Sequence, residues 1–418
     1  MSKYSAFSLA RHALAPDLSW PRAWRSPEPK SSYDVVIVGG GGHSLATAHY
    51  LAKNHGIRNV AILERAYIGS GNVGRNTTII RSNYMLGANT DFFEHSLKLW
   101  EGLSHDLNFN CMVSQRGQVV VAVSPVQMDV FARRGNLMRL NGIDAELLDR
   151  GEVMTLLPYL DYSKDARWPV CGAIHQPRAG TARHDAVAWG YARSADSQGI
   201  DIIENCEVTG FAIENGQVTG VETSRGRIHA GKIGIAVAGH TSPVAKMAGL
   251  RLPVESHILQ AFVTEPLKPI VHHVVSWGAE LFYLSQSDKG GLVFGGHIDG
   301  FNTYTQRGQF AKVREVAECA VSLMPFAARV RLLRHWGGIQ DMTPDGSPFI
   351  CKTPVRNLYL NGGWCYQGFK ATPASGWTFA HTIAHDDEHD LNRDFSLDRF
   401  EKGGELDEYG TGNWTYKQ

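Results

Sequence analysis

A run of β-branched residues from Val35 to Val38 stops at four consecutive glycines, and Leu45, Ala48 and Leu51 follow at helical spacing. Residues 33–51 therefore predict a strand, a tight turn and a helix. A second short apolar run, Val60–Leu63, predicts the next strand and ends at Glu64. Phe93, Leu97 and Trp100 lie on one face of a helix predicted over 92–103, and residues 118–123 are β-rich enough for a buried strand. From 125 to 157 helix-like pieces alternate with loops. A helix over 186–197 follows, with Asp185 as its expected N-cap and His184 just outside it. Residues 202–211, the Asn215-Gly216 turn and residues 218–224 predict a hairpin, and 232–237 a buried strand running into Ala238-Gly239-His240. Beyond them come strands at 257–264, 281–284 and Gly291–Ile298, and a helix at Phe310–Leu323. A strand at 357–361 then meets Gly362-Gly363, and a helix covers 374–385. Three junctions of strand, glycine and helix are thus spread along the chain, separated by insertions that can cover a substrate.

The first junction carries chemistry. Glycine lets a backbone bring its N–H groups, and the positive end of a helix dipole, against a pyrophosphate. Gly39 and Gly41 fit a Gly-x-Gly-x-x-Gly turn, and Ser44 stands at the third position, where its small size preserves close packing. That motif alone is weak. The second strand and Glu64, about 20 residues downstream where a ribose hydroxyl acceptor belongs, give it weight. A glycine-rich loop, Gly69 to Tyr84, follows and is dense in hydrogen-bonding side chains.

Composition narrows the choice. The 418 residues suffice for two domains, or one with insertions, and the 41 basic residues equal the 41 acidic ones, which argues against a general nucleic-acid binder. Six cysteines without CxxC spacing imply reduced thiols and no structural zinc, so no metal is expected. No apolar run approaches the ~20 residues needed to span a bilayer, and no secretory signal opens the chain, so a cytoplasmic location without membrane or nucleic-acid partners is expected. The N-terminal arm, 1–32, carries an amphipathic piece at 5–14 and a Trp-, Pro- and Arg-containing segment at 20–29. It suits packing on a partner or on this chain better than a transit peptide. No internal repeat is visible.

Several segments resemble the D-amino-acid-oxidase-type FAD amine oxidoreductases: residues 34–51, Thr77-Thr-Ile-Ile-Arg81, Asn205 to Gly210, Trp336-Gly-Gly338 with Thr343-Pro-Asp345, and Gly368-Phe-Lys370-Ala-Thr-Pro373. More narrowly, Arg75 to Tyr84, Ser114 to Gly117, Gln176 to Gly180, His184-Asp185, Glu255-Ser-His257 and His381 to His385 are similar to the beta subunits of heterotetrameric sarcosine oxidases. The resemblance runs from about Trp24 to the tail. It implies an α/β fold with α+β insertions: a Rossmann-like FAD-binding domain of the glutathione-reductase/D-amino-acid-oxidase type and a discontinuous antiparallel-sheet substrate domain. The expected division is 33–120 with 178–250 and 336–395 for the FAD domain, 121–177 with 251–335 for the substrate domain, and 396–418 as a tail.

The resemblance also implies a reaction, the oxidative demethylation of sarcosine to glycine. Hydride passes to a noncovalent FAD, electrons move to a covalent FMN and then to oxygen to give hydrogen peroxide, and the one-carbon unit goes to tetrahydrofolate or leaves as formaldehyde. Alpha, gamma and delta subunits are the implied partners of this heterotetramer. The expected FAD contacts are Gly39, Gly41, Gly42, His43, Ser44, Glu64, Arg65, Asn72, Arg75, Asn76, Thr77, Val208, Gly239, Gly363, Gly368 and Lys370. FMN is expected on His184, with His175 as its rival.

A small zwitterionic amino acid offers one fixed charge, its carboxylate, and gripping it away from water takes a cation with good donors. Arg81 and Lys370 are the expected pair, with Tyr283 and His297 as site-lining groups that handle the amine proton. Gly338 stands where monomeric relatives carry a flavin-linking cysteine, and Val293 where they carry an oxygen-activating lysine, which implies noncovalent FAD that reacts poorly with oxygen. A dehydrogenase for dimethylglycine, proline or another N-alkyl amino acid is the alternative enzyme. A catalytically silent scaffold is the alternative from another class.

Overall fold

The computed structural model describes residues 6–14, 22–277 and 281–408. The predicted arm and tail extend beyond it, since residues 1–5, 15–21 and 409–418 lie outside the described residues. With elements numbered along the chain, α1 is Ala6–Leu14.

The first sheet grows around β1 (Ser32–Val38), buried from Val35 onward. Its order is β17 (Phe349–Lys352), β18 (Leu358–Gly362), β11 (Gly226–Ile235), β1, β2 (Val60–Leu63) and β8 (Asp201–Ile203). All but β17 run parallel, which accounts for their unbroken apolar runs: both faces are covered. β9 (Val208–Glu214) and β10 (Gln217–Thr223) extend β11 as an antiparallel meander. On one face pack α2 (Gly42–His55), α3 (Gly87–Asp106), α6 (His184–Ser197) and α9 (Gly368–His385), sharing the largest apolar cluster. The α2–α9 crossing is close, since a Cβ on Gly376 would stand 2.4 Å from that of Ala46. Behind the sheet, the meander, residues near α7 (Thr241–Met247) and Phe400 form a second cluster.

The second sheet is built from the insertions. Its order is β16 (Leu332–Met342), β12 (Glu255–Pro266), β15 (Gly291–Ile298), β14 (Phe282–Gln286), β13 (Val274–Trp277), β4 (Gln118–Ala122), β6 (Gly172–Gln176) and β5 (Glu146–Asp149). Every pairing but β13–β4 is antiparallel. α5 (Arg150–Leu156) and α8 (Phe310–Leu323) contribute Val153, Val316 and Leu323 to its main core, and α4 (Pro125–Leu140) contributes Phe131 and Met138 to a smaller one. A short ribbon, β3 (Ile79–Ile80) with β7 (Gly180–Thr181), links the glycine-rich loop to the strand that precedes α6.

Four expectations are corrected. The strand predicted over 202–211 is two, because Ile202 and Ile203 pair with β2 while Val208 pairs with Thr223 of β10, and one extended segment cannot serve both. Asn205, with a left-handed φ of 54°, turns the chain between them. Residues 336–342, expected with the FAD domain, pair along their length with β12, and residues 118–120 likewise belong to the second sheet through β4. The helix predicted from 374 begins at Gly368 with Pro373 inside it, its first turns held by Ser96 Oγ and Trp100 Nε1, which donate to the Lys370 carbonyl at 2.7 and 2.9 Å. Asp185 is not the N-cap of α6. Arg183 occupies that position, His184 is the first helical residue, and the Asp185 carboxylate is held by the Arg183 guanidinium at 2.9 and 3.2 Å.

The tail is docked as far as it is described. Asp345 accepts a bidentate pair from Arg399, both bonds 2.8 Å, with the two side chains 1 and 2% exposed. Arg399 also donates to the carbonyls of Ser347, Pro348 and Ser396, and Leu406 N–H donates to Asp345 at 3.0 Å. No described helix is long and apolar enough to cross a membrane. The six cysteines are free, and no cluster of described His, Cys, Asp and Glu is arranged to hold a metal.

Candidate functional site

A cavity of about 530 Å³ opens between the two sheets, within the range of cofactor pockets. At one end lies the glycine turn after β1. Gly39, at φ 105°, has no room for a side chain, since a Cβ would meet the Ala236 carbonyl at 2.5 Å; one on Gly40 would meet the Glu64 Cβ at 2.7 Å. Gly41 differs: nothing stands within 4 Å of its Cβ position, so the space a side chain would fill is open beside the N-terminus of α2. First-turn N–H groups of a helix have no acceptor inside it, and an anion such as a pyrophosphate supplies one. Ser44 does not line the cavity; its buried hydroxyl donates to the Ala236 carbonyl at 3.2 Å and ties α2 to the end of β11.

Glu64 sits at the cavity's edge, accepting from Gly40 N–H at 2.7 Å, Ala66 N–H at 2.9 Å and Ser70 Oγ at 3.3 Å. Arg65, Gly42 and Val208 also line this end, and Arg65 faces His240. The following loop is fastened to β16: Asn72 donates to the Ile339 carbonyl and accepts from its N–H at 3.1 Å, and Trp336 Nε1 donates to the Arg75 carbonyl at 2.8 Å. Arg75, Asn76 and Thr77 reach the cavity in consequence. Gly239 and Gly368 line it from the other junctions, whereas Gly363 supports it from behind, its N–H donating to Asp341 Oδ2 at 2.6 Å. Burial pushes the Asp341 carboxyl up to about 6. His43 stacks on Trp364 with centroids 4.6 Å apart and bonds through Nδ1 to Ser375 Oγ; burial brings it down to about 4, so it is neutral.

At the other end Arg81 and Lys370 come together from loop and helix. Arg81 bonds to Asn83 Oδ1 and lies 4.7 Å over the Tyr84 ring. Lys370, 7% exposed, donates to the Tyr366 carbonyl at 2.7 Å; burial first, and then the charge of Arg81, pushes it well below the usual lysine range. A carboxylate placed between them would satisfy both cations. Tyr283 lines the same end beside Thr77, and burial raises its hydroxyl to about 12, so it stays protonated.

His297 is not there. It is the extra residue of a bulge, since Ile298 pairs with Leu259 and Gly296 with Gln260, and its φ of 48° turns the ring toward α8, where Nδ1 meets Glu315 at 3.2 Å. Val293 also fails to line the cavity, although it shares a face of β15 with Gly295, which packs under Tyr283. His184 and His175 both lie outside the cavity. His184 has a buried, unpaired Nδ1 and is lowered by burial, while His175 meets Glu146 at 2.8 Å and leaves its Nε2 buried and unpaired.

Two ionic residues at this end carry no expectation from the sequence. Arg134 of α4 donates to the Asn83 carbonyl through Nε at 3.1 Å and through Nη2; burial, then Arg81, lowers it to about 10. A signal existed: Arg134 shares the stripe of Val130, Phe131 and Met138, and a charge on an apolar stripe needs a reason. Glu408 comes from the tail, and no pattern in the sequence points to it.

Residues 34–382 match the profile of a family described as FAD dependent oxidoreductase. The sarcosine oxidase subunit beta of Rhizobium meliloti (strain 1021) is 61% identical over 410 residues, 98% of each chain. The protein of that name from Arthrobacter sp is 52% identical over 387 residues, 93% of this chain and 96% of its own. Among solved structures, L-proline dehydrogenase from P.horikoshii superposes with a TM-score of 0.84 at 28% identity, covering 90% of this chain and 99% of that one. The open Gly41 cradle, the α2 N-terminus and Glu64 fit an FAD pyrophosphate and ribose.

Proposed function

Because the chain belongs to the FAD-dependent oxidoreductase family, in its sarcosine oxidase beta-subunit branch, we propose that it is the subunit that oxidises sarcosine's N-methyl group. The observation that carries this reading is the meeting of Arg81 and Lys370 at one end of a cavity whose other end is the glycine cradle. Arg81 and Lys370 hold the substrate carboxylate, and its arrival between two cations restores the proton that burial disfavours on Lys370. Bound FAD supplies the acceptor for the two electrons that leave the methyl carbon. The amine must be neutral for its lone pair to form the C=N bond. Arg81 and Lys370 favour that state by lowering the amine's proton affinity through their charge, and Tyr283, protonated, walls the site as an uncharged donor. Water adds to the C=N bond to release glycine and formaldehyde, or tetrahydrofolate takes the one-carbon unit.

His184 is the residue that would hold FMN in this reading, since burial favours its neutral imidazole and leaves Nδ1 without a hydrogen-bond partner. Alpha, gamma and delta subunits complete the enzyme. FMN held there would supply the site at which oxygen accepts the electrons, giving hydrogen peroxide. The test is acid precipitation of the purified complex: one flavin released and one retained on a peptide containing His184 is expected. A flavin on a peptide containing His175 but not His184 overturns the attachment. The same complex is then assayed with sarcosine, dimethylglycine and proline. Turnover of proline or dimethylglycine in preference to sarcosine overturns the substrate.

A further inference from the structure

The substrate end of the cavity holds three cations, and a single substrate carboxylate engages two of them. The third, Arg134, is half-buried, and its hydrogen-bond acceptor among the described residues is the carbonyl of Asn83, whose side-chain oxygen is taken by Arg81. Both guanidinium groups therefore converge on one residue, where a small dicarboxylate could bridge them. Glu408 faces the same cavity, and its charge reaches Arg134. Its carboxylate lines the cavity and accepts from Leu86 N–H at 2.8 Å, Met85 N–H at 3.1 Å and Asn89 Nδ2 at 3.3 Å. These bonds tie the tail to the two residues that lead into α3 and to the Asn89 side chain in its first turn, which places an anion beside a helix N-terminus. The charge of Glu408 also acts on Arg134 and Tyr84.

We propose that Glu408 is a specificity-determining residue: a resident carboxylate that balances Arg134 and occupies the place where a second substrate carboxylate would sit, confining the enzyme to monocarboxylate amines. The proposal rests on the reading that this cavity oxidises sarcosine. A substrate whose N-substituent ends in a carboxylate meets two obstacles, since Glu408 both fills the space and repels the charge. With Glu408 neutralised, Arg134 becomes the natural partner of that group.

The experiment uses the assembled enzyme with wild type, Glu408→Ala, Glu408→Gln and the double variant Glu408→Ala/Arg134→Met. The ratio of kcat/KM for iminodiacetate to that for sarcosine is measured, together with Kd for the unreactive thioethers thiodiacetate and methylthioacetate. Both single variants are expected to raise the iminodiacetate ratio at least tenfold and to tighten thiodiacetate relative to methylthioacetate. The double variant is expected to lose that gain. Glu408→Gln keeps the side chain's volume and an acceptor for α3, so it reads the charge even where alanine loosens the tail. Ratios within twofold of wild type in both single variants overturn the proposal, as does a gain that survives in the double variant. A wild type that oxidises no sarcosine would overturn the functional reading instead, which separates the two failures.

Discussion

Arg399→Leu is the sharpest probe of how the tail is held. The substitution leaves the Asp345 carboxylate, 1% exposed, with only the N–H groups of Ser347 and Leu406 as partners among the described residues, and strands three carbonyls that the guanidinium now satisfies. Removing one member of a buried ion pair costs about 3–5 kcal/mol, because the remaining charge is uncompensated. Most of that cost falls on local opening of residues 396–408. At about 1.4 kcal/mol per power of ten, the opened population should rise roughly two to three and a half orders of magnitude. Limited proteolysis of the folded subunit reads this directly when opening and closing are fast relative to cleavage, since the rate then follows the open fraction. A comparison variant, Asp345→Asn with Arg399→Leu, removes both charges and should recover part of the loss. A cleavage rate for Arg399→Leu within fivefold of wild type would refute the reasoning, as would a double variant no better than the single.

Other outcomes follow from the same structure. Burial raises Asp341 to about 6 from an ordinary value near 4, so its proton favours the folded state; that contribution is complete below about pH 4 and is lost as pH rises through about 6, up to ~3 kcal/mol in all. Asp341→Asn should therefore gain stability over wild type between pH 4 and 7 and hold that gain above it; urea midpoints that differ by a constant amount across the range would contradict this. Ser44→Gly should weaken the α2–β11 junction by about 1 kcal/mol through loss of the bond to Ala236, with a lower melting temperature as the readout, and an unchanged or higher one would show that only the size of the residue matters. Lys370→Met should raise KM for sarcosine by at least tenfold while flavin content stays near wild type, because the lysine belongs to the substrate end; loss of flavin with unchanged KM would place it with the cofactor instead.

What the sequence reveals divides along physical lines. Strands buried on both faces, such as Val60–Leu63, announce themselves as apolar runs, and the turns beside them as glycines, so the parallel sheet and its cradle are legible. Arg81 and Lys370 are legible because each belongs to a compact motif. The division of 202–211 is not, since only the partners of each half, β2 and β10, separate them. His297 misleads for a similar reason: periodicity assumes a regular strand, and a one-residue bulge against β12 redirects the ring. Glu408 is the extreme case, as its position depends on Arg399 and Asp345, and a polar tail gives no periodic signal at all.

The strand order of the first sheet has a consequence for biogenesis. β18 and α9, which complete the sheet and bring Lys370 to the cavity, leave the ribosome some 330 residues after β1 and the glycine turn. At 5–20 residues per second, about 20–70 s of synthesis separate the two events. During that interval the nascent chain carries apolar strand edges and half a cradle. FAD becomes enclosed only once β18 and α9 have followed β1, so the cofactor's capture lags well behind the synthesis of its glycine turn.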